Sequence, residues 1–266
     1  MEIVRVLKQV WLHKVMVSGL VRRDLRTRYA GSALGMLWTV LQPLLHFGLY
    51  FFVFSWILQV KFTENASGGD FAFYLLSGLL PWLSFQESVT RAASAIVEHA
   101  NLVRGVRFPS AVLVLGSILA SLVNFFIGLG LLCLVLLLAN RLSWATLPFL
   151  PLLVMLQTVF ATGLGLLAAS IHTFLRDTSQ VLTIGFQIWF YLTPIIYPPS
   201  YIPDGLAFLF LWNPFTGLVA SYRAILIEGA WPSALALAPL LVWALSILAV
   251  GSLIFRRVEP GFADVL

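Results

Sequence analysis

The sequence predicts an all-α membrane protein with six transmembrane helices, an N-terminal amphipathic interface helix and a re-entrant helix pair before the last span. Three observations carry that prediction. Hydrophobic residues fill 60% of the 266 positions and charged residues only 10%, at a mean hydropathy of +0.96. Soluble domains carry about 25% charged residues, so this chain has too little polar surface to cover a water-facing globule. Its apolar segments recur near the length of a bilayer crossing, roughly 20 residues each. Finally, lysine and arginine are distributed unevenly about those segments.

Residues 1–33 form the expected interface unit. Val4, Leu7, Trp11 and Val15 repeat at helical spacing, while Arg5, Lys8 and Lys14 occupy other faces. A helix of this kind lies on the membrane, with tryptophan at headgroup depth and basic groups near anionic lipid. Ser18-Gly19 should loosen it before the basic cluster Arg22, Arg23, Arg26 and Arg28. No short apolar core with a small-residue cleavage site follows the first basic residues, so no removable signal peptide is expected.

Residues 34–266 form the expected transmembrane domain, with spans at 34–58, 71–97, 110–139, 144–172, 179–197 and 233–255. Pro43 should kink the first span, with Gln42 and His46 placed to satisfy the freed backbone groups. Ala161, Gly165 and Ala169 recur every four residues in the fourth, a spacing that lets helix backbones approach closely. Residues 206–227 are apolar but are broken by Asn213-Pro214 and carry Ser221, Tyr222 and Arg223. Such a stretch is tolerated when packed inside protein rather than facing lipid, so it is expected to be re-entrant, within an outer segment covering 198–231.

Charge bias supports that choice. With six spans and a cytoplasmic N-terminus, the inner segments hold Arg5, Lys8, Lys14, Arg22, Arg23, Arg26, Arg28, Arg91, Arg104, Arg107, Arg176, Arg256 and Arg257; only Lys61, Arg141 and Arg223 fall outside. A seventh span would move Arg256 and Arg257 outside and weaken the positive-inside bias. Both termini are therefore expected in the cytoplasm.

Several activities lack their residues. No G-x-x-x-x-G-K-[ST] phosphate loop, H-E-x-x-H zinc motif or G-x-S-x-G elbow is present. Neither a metal site nor a catalytic residue is assigned, and no nucleic-acid partner is expected. The single cysteine, Cys133, lies in an apolar run and is read as a small hydrophobe. The histidines His13, His46, His99 and His172 are widely separated. Glu87 and Arg91 are the ionisable groups deep in a span, and their i, i+4 spacing with the acid first predicts a mutually neutralising intrahelical ion pair.

Other motifs are not explained by bulk hydrophobicity. Leu25-Arg26-Thr27-Arg28-Tyr29-Ala30-Gly31-Ser32-Ala33-Leu34-Gly35 runs into Trp38 and Gln42-Pro43. Then follow Gly78-Leu79-Leu80-Pro81-Trp82 and Asn101-Leu102-Val103-Arg104-Gly105-Val106-Arg107-Phe108-Pro109. Phe174-Leu175-Arg176-Asp177, Leu192-Thr193-Pro194-Ile195-Ile196-Tyr197-Pro198 and Asn213-Pro214 complete the set. In this order it closely resembles the permease subunits of type-2 ABC exporters for cell-surface polysaccharides, the family of the Wzm O-antigen and TagG teichoic acid exporters. The resemblance runs from about Val21 to the C-terminal end.

That resemblance implies a homodimer in the bacterial cytoplasmic (inner) membrane, paired with two copies of a separate ATP-binding subunit. ATP and magnesium would belong to that partner, with no cofactor in this chain. The substrate it implies is a polysaccharide, carried on a lipid such as a polyprenyl diphosphate. Residues 98–109 would form a cytoplasmic coupling and gating loop. Its His99, Arg104 and Arg107 would face the ATP-binding subunits together with Arg22, Arg23, Arg26 and Arg28. Sugars stack their C–H faces on aromatic rings, so Trp82, Phe85, Trp189, Phe190, Tyr191 and Tyr197 are the candidate channel residues; interfacial anchoring is the competing role for such side chains. Two alternatives stay open: a type-2 ABC exporter of a lipid or drug, and a membrane-embedded lipid-linked-sugar transferase. The second would need clustered acids that the sequence does not show.

Overall fold

A computed structural model describes residues 14–28, 31–57, 68–105 and 109–266, and among these there is no strand. An apolar backbone in lipid has no water to bond its N–H and C=O groups, so helices that satisfy themselves internally are the available solution. The helices are α1 (Lys14–Arg28), α2 (Trp38–Phe51), α3 (Gly68–Glu98), α4 (Ala100–Gly105), α5 (Ala111–Leu138) and α6 (Leu150–Phe174). They continue with α7 (Thr178–Tyr191), α8 (Ala207–Trp212), α9 (Pro214–Arg223), α10 (Ala234–Val258) and α11 (Phe262–Val265). Wider π-type turns extend α2 over Phe52–Ile57 and α9 over Ala224–Glu228.

Among the described residues, four helical segments are long and apolar enough to cross a membrane: Gly35–Phe54, Ala111–Leu138, Leu147–Phe174 and Ala234–Val265. A fifth exists if the bent pair Asp204–Trp212 and Pro214–Glu228, which turns through 86°, counts as one crossing. Two of the predicted spans fall short for identifiable reasons. The 31-residue α3 is long enough but is diluted by Asp70, Glu87, Arg91 and Glu98. The 14-residue α7 ends at Tyr191, before the predicted 197, and at 1.5 Å per residue reaches only about 21 Å against a hydrocarbon core of about 30 Å.

The centre of the bundle is α3, α5, α6 and α10, with α6 packed between α3 and α10. α9 lies against α10 and α3, α7 against α3, and α1 against α5. Close approach between α6 and α10 is set by two glycines. A Cβ on Gly163 would collide with the backbone at Ile247 and Leu248, and one on Gly251 with the carbonyl oxygen of Gly163. The predicted stripe of small residues is also packed: Gly165 faces Ala92 of α3 and Ile118 of α5, and Ala161 and Ala169 are buried. Gly217 brings α9 onto the Ala236 carbonyl at the start of α10. Between helices in lipid, where both surfaces are apolar, such backbone proximity supplies dispersion contacts that larger side chains would block.

Two expectations near the N-terminus change. Val4, Leu7, Trp11, Arg5 and Lys8 lie outside the described residues, so of the segment expected to form an interface helix only α1 is described. Ser18-Gly19 does not loosen it: the Ser18 hydroxyl donates back to the Val15 carbonyl at 2.9 Å, and the helix continues to Arg28. Buried Val17, and Leu20 set against Gly116 of α5, hold this stretch in place.

Candidate functional site

The site builds from two four-residue spacings. Asp24 and Arg28 sit one turn apart on α1, and Glu87 and Arg91 sit one turn apart on α3. The helices meet so that each acid faces a base. Arg28 Nη1 lies 2.6 Å from Glu87 Oε1, and Arg91 Nη2 donates to Asp24 Oδ1. Arg28 also lies 3.8 Å from Asp24 within α1. The expected Glu87–Arg91 pair along α3 is therefore replaced by a two-rung ladder between helices. Direct cross-helix approach gives shorter charge–charge distances than the i, i+4 spacing offers on one helix surface.

The ladder closes one end of a cavity of about 600 Å³ between α2, α3 and α5. Thr39, Gln42, His46, Ser84, Gln86, Thr90 and Asn124 supply its polar wall, and Phe47, Tyr50, Leu76, Leu79 and Leu80 its apolar wall. Pro43 also lines this space, inside a helix that runs on to Phe51.

The predicted channel aromatics separate into two sets. Trp82 and Phe85 are 1% and 0% exposed and belong to a packed cluster with Phe160, Phe186, Trp189, Phe190 and Phe215. Trp82 meets Trp189 edge-on at 5.7 Å, and Phe85 lies 4.5 Å from Phe215. Within one chain Trp82 and Phe85 are interior packing. Trp189 and Phe190 are half-buried at its edge, whereas Tyr191 is 57% exposed. Half-buried Tyr197 is tied down, its hydroxyl donating to the Tyr191 carbonyl at 2.7 Å and its carbonyl accepting from Tyr74 at 3.2 Å.

At the end of the bundle away from α1, two residues tie the ends of α9 to α3, to α7 and to the segment that follows α7. Asn213 caps α9 by accepting from Phe215 N, accepts from Trp189 Nε1 at 2.9 Å, and donates to Leu192 O and Thr193 Oγ1. Arg223 is 4% exposed, and its guanidinium donates to the Tyr74, Pro194 and Ile195 carbonyls and the Tyr74 hydroxyl. Its Cζ stands 3.4 Å above the Tyr74 ring. Neither role is visible in the motif pattern. An arginine in an apolar stretch was the available signal, because such a charge must find backbone carbonyls, a counter-charge or water.

The basic residues expected to meet a partner also divide. Arg22, Arg23 and Arg26 are exposed, while Arg28 turns inward to Glu87. Arg104 is exposed on α4, His99 Nδ1 donates to the Ala95 carbonyl at 3.0 Å, and Arg107 lies outside the described residues. The C-terminal turn packs onto this loop: α11 contacts α4, Phe262 is buried, and the Glu259 carboxylate accepts from Ser110 N at 2.7 Å at the start of α5.

A basic N-terminal helix packed on α5, a cavity beside its last turn and a bent helix pair at the far end accompany a sequence match over most of the chain. Residues 17–227 match the sequence model of the ABC-2 type transporter family. The chain belongs to that family. Among relatives of this ABC-2 type transporter is the O-antigen export system permease protein RfbA of Myxococcus xanthus, 34% identical over 265 residues, covering 98% of this chain and 99% of the relative. The protein of the same name from Klebsiella pneumoniae is 26% identical over 250 residues, 93% of each chain. The polysialic acid transport protein KpsM of Escherichia coli is 25% identical over 252 residues, 94% of this chain and 96% of the relative. The family resemblance expected from the six ordered motifs thus stands.

Proposed function

We propose that this ABC-2 type transporter is the membrane subunit of an ATP-driven exporter of cell-surface polysaccharide. The observation that carries the proposal is full-length similarity, 34% over 265 residues, to a permease named for O-antigen export. Two copies would enclose a channel, and two copies of a separate subunit would bind ATP and magnesium. The polysaccharide would travel on a lipid carrier. On this proposal exposed Arg22, Arg23, Arg26 and Arg104, with His99 and Arg107, meet the ATP-binding subunits. Movement of α1 would reach α3 through the charged ladder, and from there the cavity. Tyr191 is the candidate that presents its ring outward for sugar stacking, with Trp82 and Phe85 stiffening the wall behind it.

The topology proposed is six crossings by α2, α3, α5, α6, α7 and α10 in the bacterial inner membrane, with both termini cytoplasmic and the α8–α9 pair re-entrant on the outer side. It is supported by the thirteen-to-three distribution of basic residues and by the 86° bend at Asn213-Pro214. α3 gains support as a crossing because its inner charges are paired by α1.

Purification of the chain alone and with its ATP-binding partner provides the test. ATP hydrolysis should need the partner, and deletion of this chain should leave polysaccharide inside the cell. Robust ATPase activity of the chain by itself would sink the proposal. A cysteine at position 256 labelled from outside the cell would overturn the topology.

A further inference from the structure

The cavity between α2, α3 and α5 holds an unusual concentration of unsatisfied polar atoms. Among the described residues, no hydrogen-bond partner reaches Thr39 Oγ1, Ser84 Oγ or Asn124 Oδ1, nor the Nε and Nη2 groups of Arg28, nor Arg91 Nε. All five residues line this one space. Thr39 is 7% exposed and Ser84 5%, so open solvent does not satisfy them. A buried polar group without a partner costs roughly 1–3 kcal/mol, and such a group is more expensive still at membrane depth, where lipid offers no hydrogen bond. Several in one chamber point to a ligand that supplies the missing bonds.

The chemistry of the set selects the ligand class. Hydroxyls of Thr39 and Ser84 both donate and accept, Asn124 Oδ1 accepts, and the arginine groups donate. Mixed donors and acceptors at short range suit an array of hydroxyl groups. Charge argues against an anion, because Arg28 is matched by Glu87 and Arg91 by Asp24, leaving no surplus positive charge. Opposite the polar groups stand Phe47, Tyr50, Leu76 and Leu79, a wall suited to the C–H face of a sugar ring. A volume of about 600 Å³ lies within the roughly 300–1,000 Å³ of small-molecule sites.

We infer that this chamber is a hydroxyl-recognition subsite that receives sugar residues of the exported polysaccharide, with Thr39, Ser84 and Asn124 as the recognising groups. It rests on the exporter assignment proposed above and adds where, within one chain, the glycan is handled. The polar chamber and not the buried Trp82–Phe85 cluster is then the sugar-contacting element of α3.

The test is protection of a reporter cysteine. Thr90→Cys, a lining position outside the recognising set, is made in a Cys133→Ser background in the full chain, held in lipid nanodiscs, and modified with a small methanethiosulfonate. Surface polysaccharide of the source cells, freed of its lipid by mild acid, should slow modification at least about fivefold, while inorganic diphosphate at equal ionic strength should not. Gly185→Cys on the exposed face of α7 should be unaffected by either. Asn124→Leu and Thr39→Val, added singly to the reporter, should abolish protection while leaving the melting temperature unchanged or raised, since each removes an unpartnered polar atom. Protection by diphosphate alone, or by neither probe, overturns the inference. Loss of protection accompanied by a fall in melting temperature in both variants also overturns it, because the residues would then be structural. Glycan export by cells is scored separately. Protection without export would count against the exporter assignment and leave the chamber standing, and export without protection would do the reverse.

Discussion

Arg28 and Glu87 are 59 positions apart in the chain and 2.6 Å apart in space, and with Asp24 and Arg91 they fix the register of α1 on α3. Both helices carry an acid followed four residues later by an arginine. Only antiparallel pairing sets each acid against a base. Sliding α1 by one turn would bring Arg28 against Arg91, or Asp24 against Glu87, and like charges at such distances repel. The ladder therefore holds a single register.

Charge exchange tests that register. Arg28→Glu should reduce export at least about tenfold, because it places two acids together beside the cavity. Adding Glu87→Arg should recover most of the loss. Export per ATP hydrolysed is the measurement that separates coupling from folding. A double variant no better than Arg28→Glu alone would rule out the pairing as the cause.

The α6–α10 contact makes a sharper stability prediction. Gly163→Ala and Gly251→Ala place a methyl against backbone and should each destabilise by about 1–3 kcal/mol or more, the usual cost of overpacking. Gly130→Ala, with nothing within 4 Å of the added carbon, should be neutral or slightly stabilising, since alanine is the better helix former. Thermal unfolding in one detergent compares the three.

Removing the Arg223 guanidinium should loosen the far end of the bundle. Arg223→Met leaves the Pro194 and Ile195 carbonyls without their donor. Arg223→Lys keeps the charge but cannot span four acceptors with one ammonium. Both should speed proteolysis within 192–213, with Lys intermediate. Equal resistance in all three proteins would show that the contacts contribute nothing.

Trp82 and Tyr191 should behave oppositely. Trp82→Ala opens a hole in the aromatic cluster and should cost about 3–5 kcal/mol of stability. Tyr191→Ala, at an exposed position, should leave the melting temperature unchanged and reduce export. A melting temperature indifferent to Trp82→Ala would contradict its place in the interior.

Much of the fold was legible because lipid imposes a strong rule. The helices at Ala111–Leu138 and Ala234–Val258 fall within a few residues of the predicted spans, since long apolar runs have no alternative to helix. The bend at Asn213-Pro214 was legible too, because proline removes a donor and disfavours helix in the residue before it. α7 was overextended, since Leu192-Thr193-Pro194 is as apolar as a helix but leaves it at Tyr191.

Site residues were read less well, and the aromatics show why. Aromatic residues in apolar segments look equivalent in sequence, yet Trp82 of α3 is buried by rings from α7 and α9, while Tyr191 at the end of α7 stands exposed. Glu87 and Arg91 likewise appeared self-sufficient until α1 crossed them.

Composition, span length and motif order were enough to establish a helical membrane protein and to identify its family, because those properties depend on residues near one another in the chain. Which arginine pairs with which acid, which glycine admits a neighbouring backbone, and which polar groups are left facing a cavity depended on contacts tens of residues apart. Arg28 illustrates the division. Its place in a basic cluster is written in seven consecutive residues, but its inward turn exists only because α3 sets Glu87 beside it.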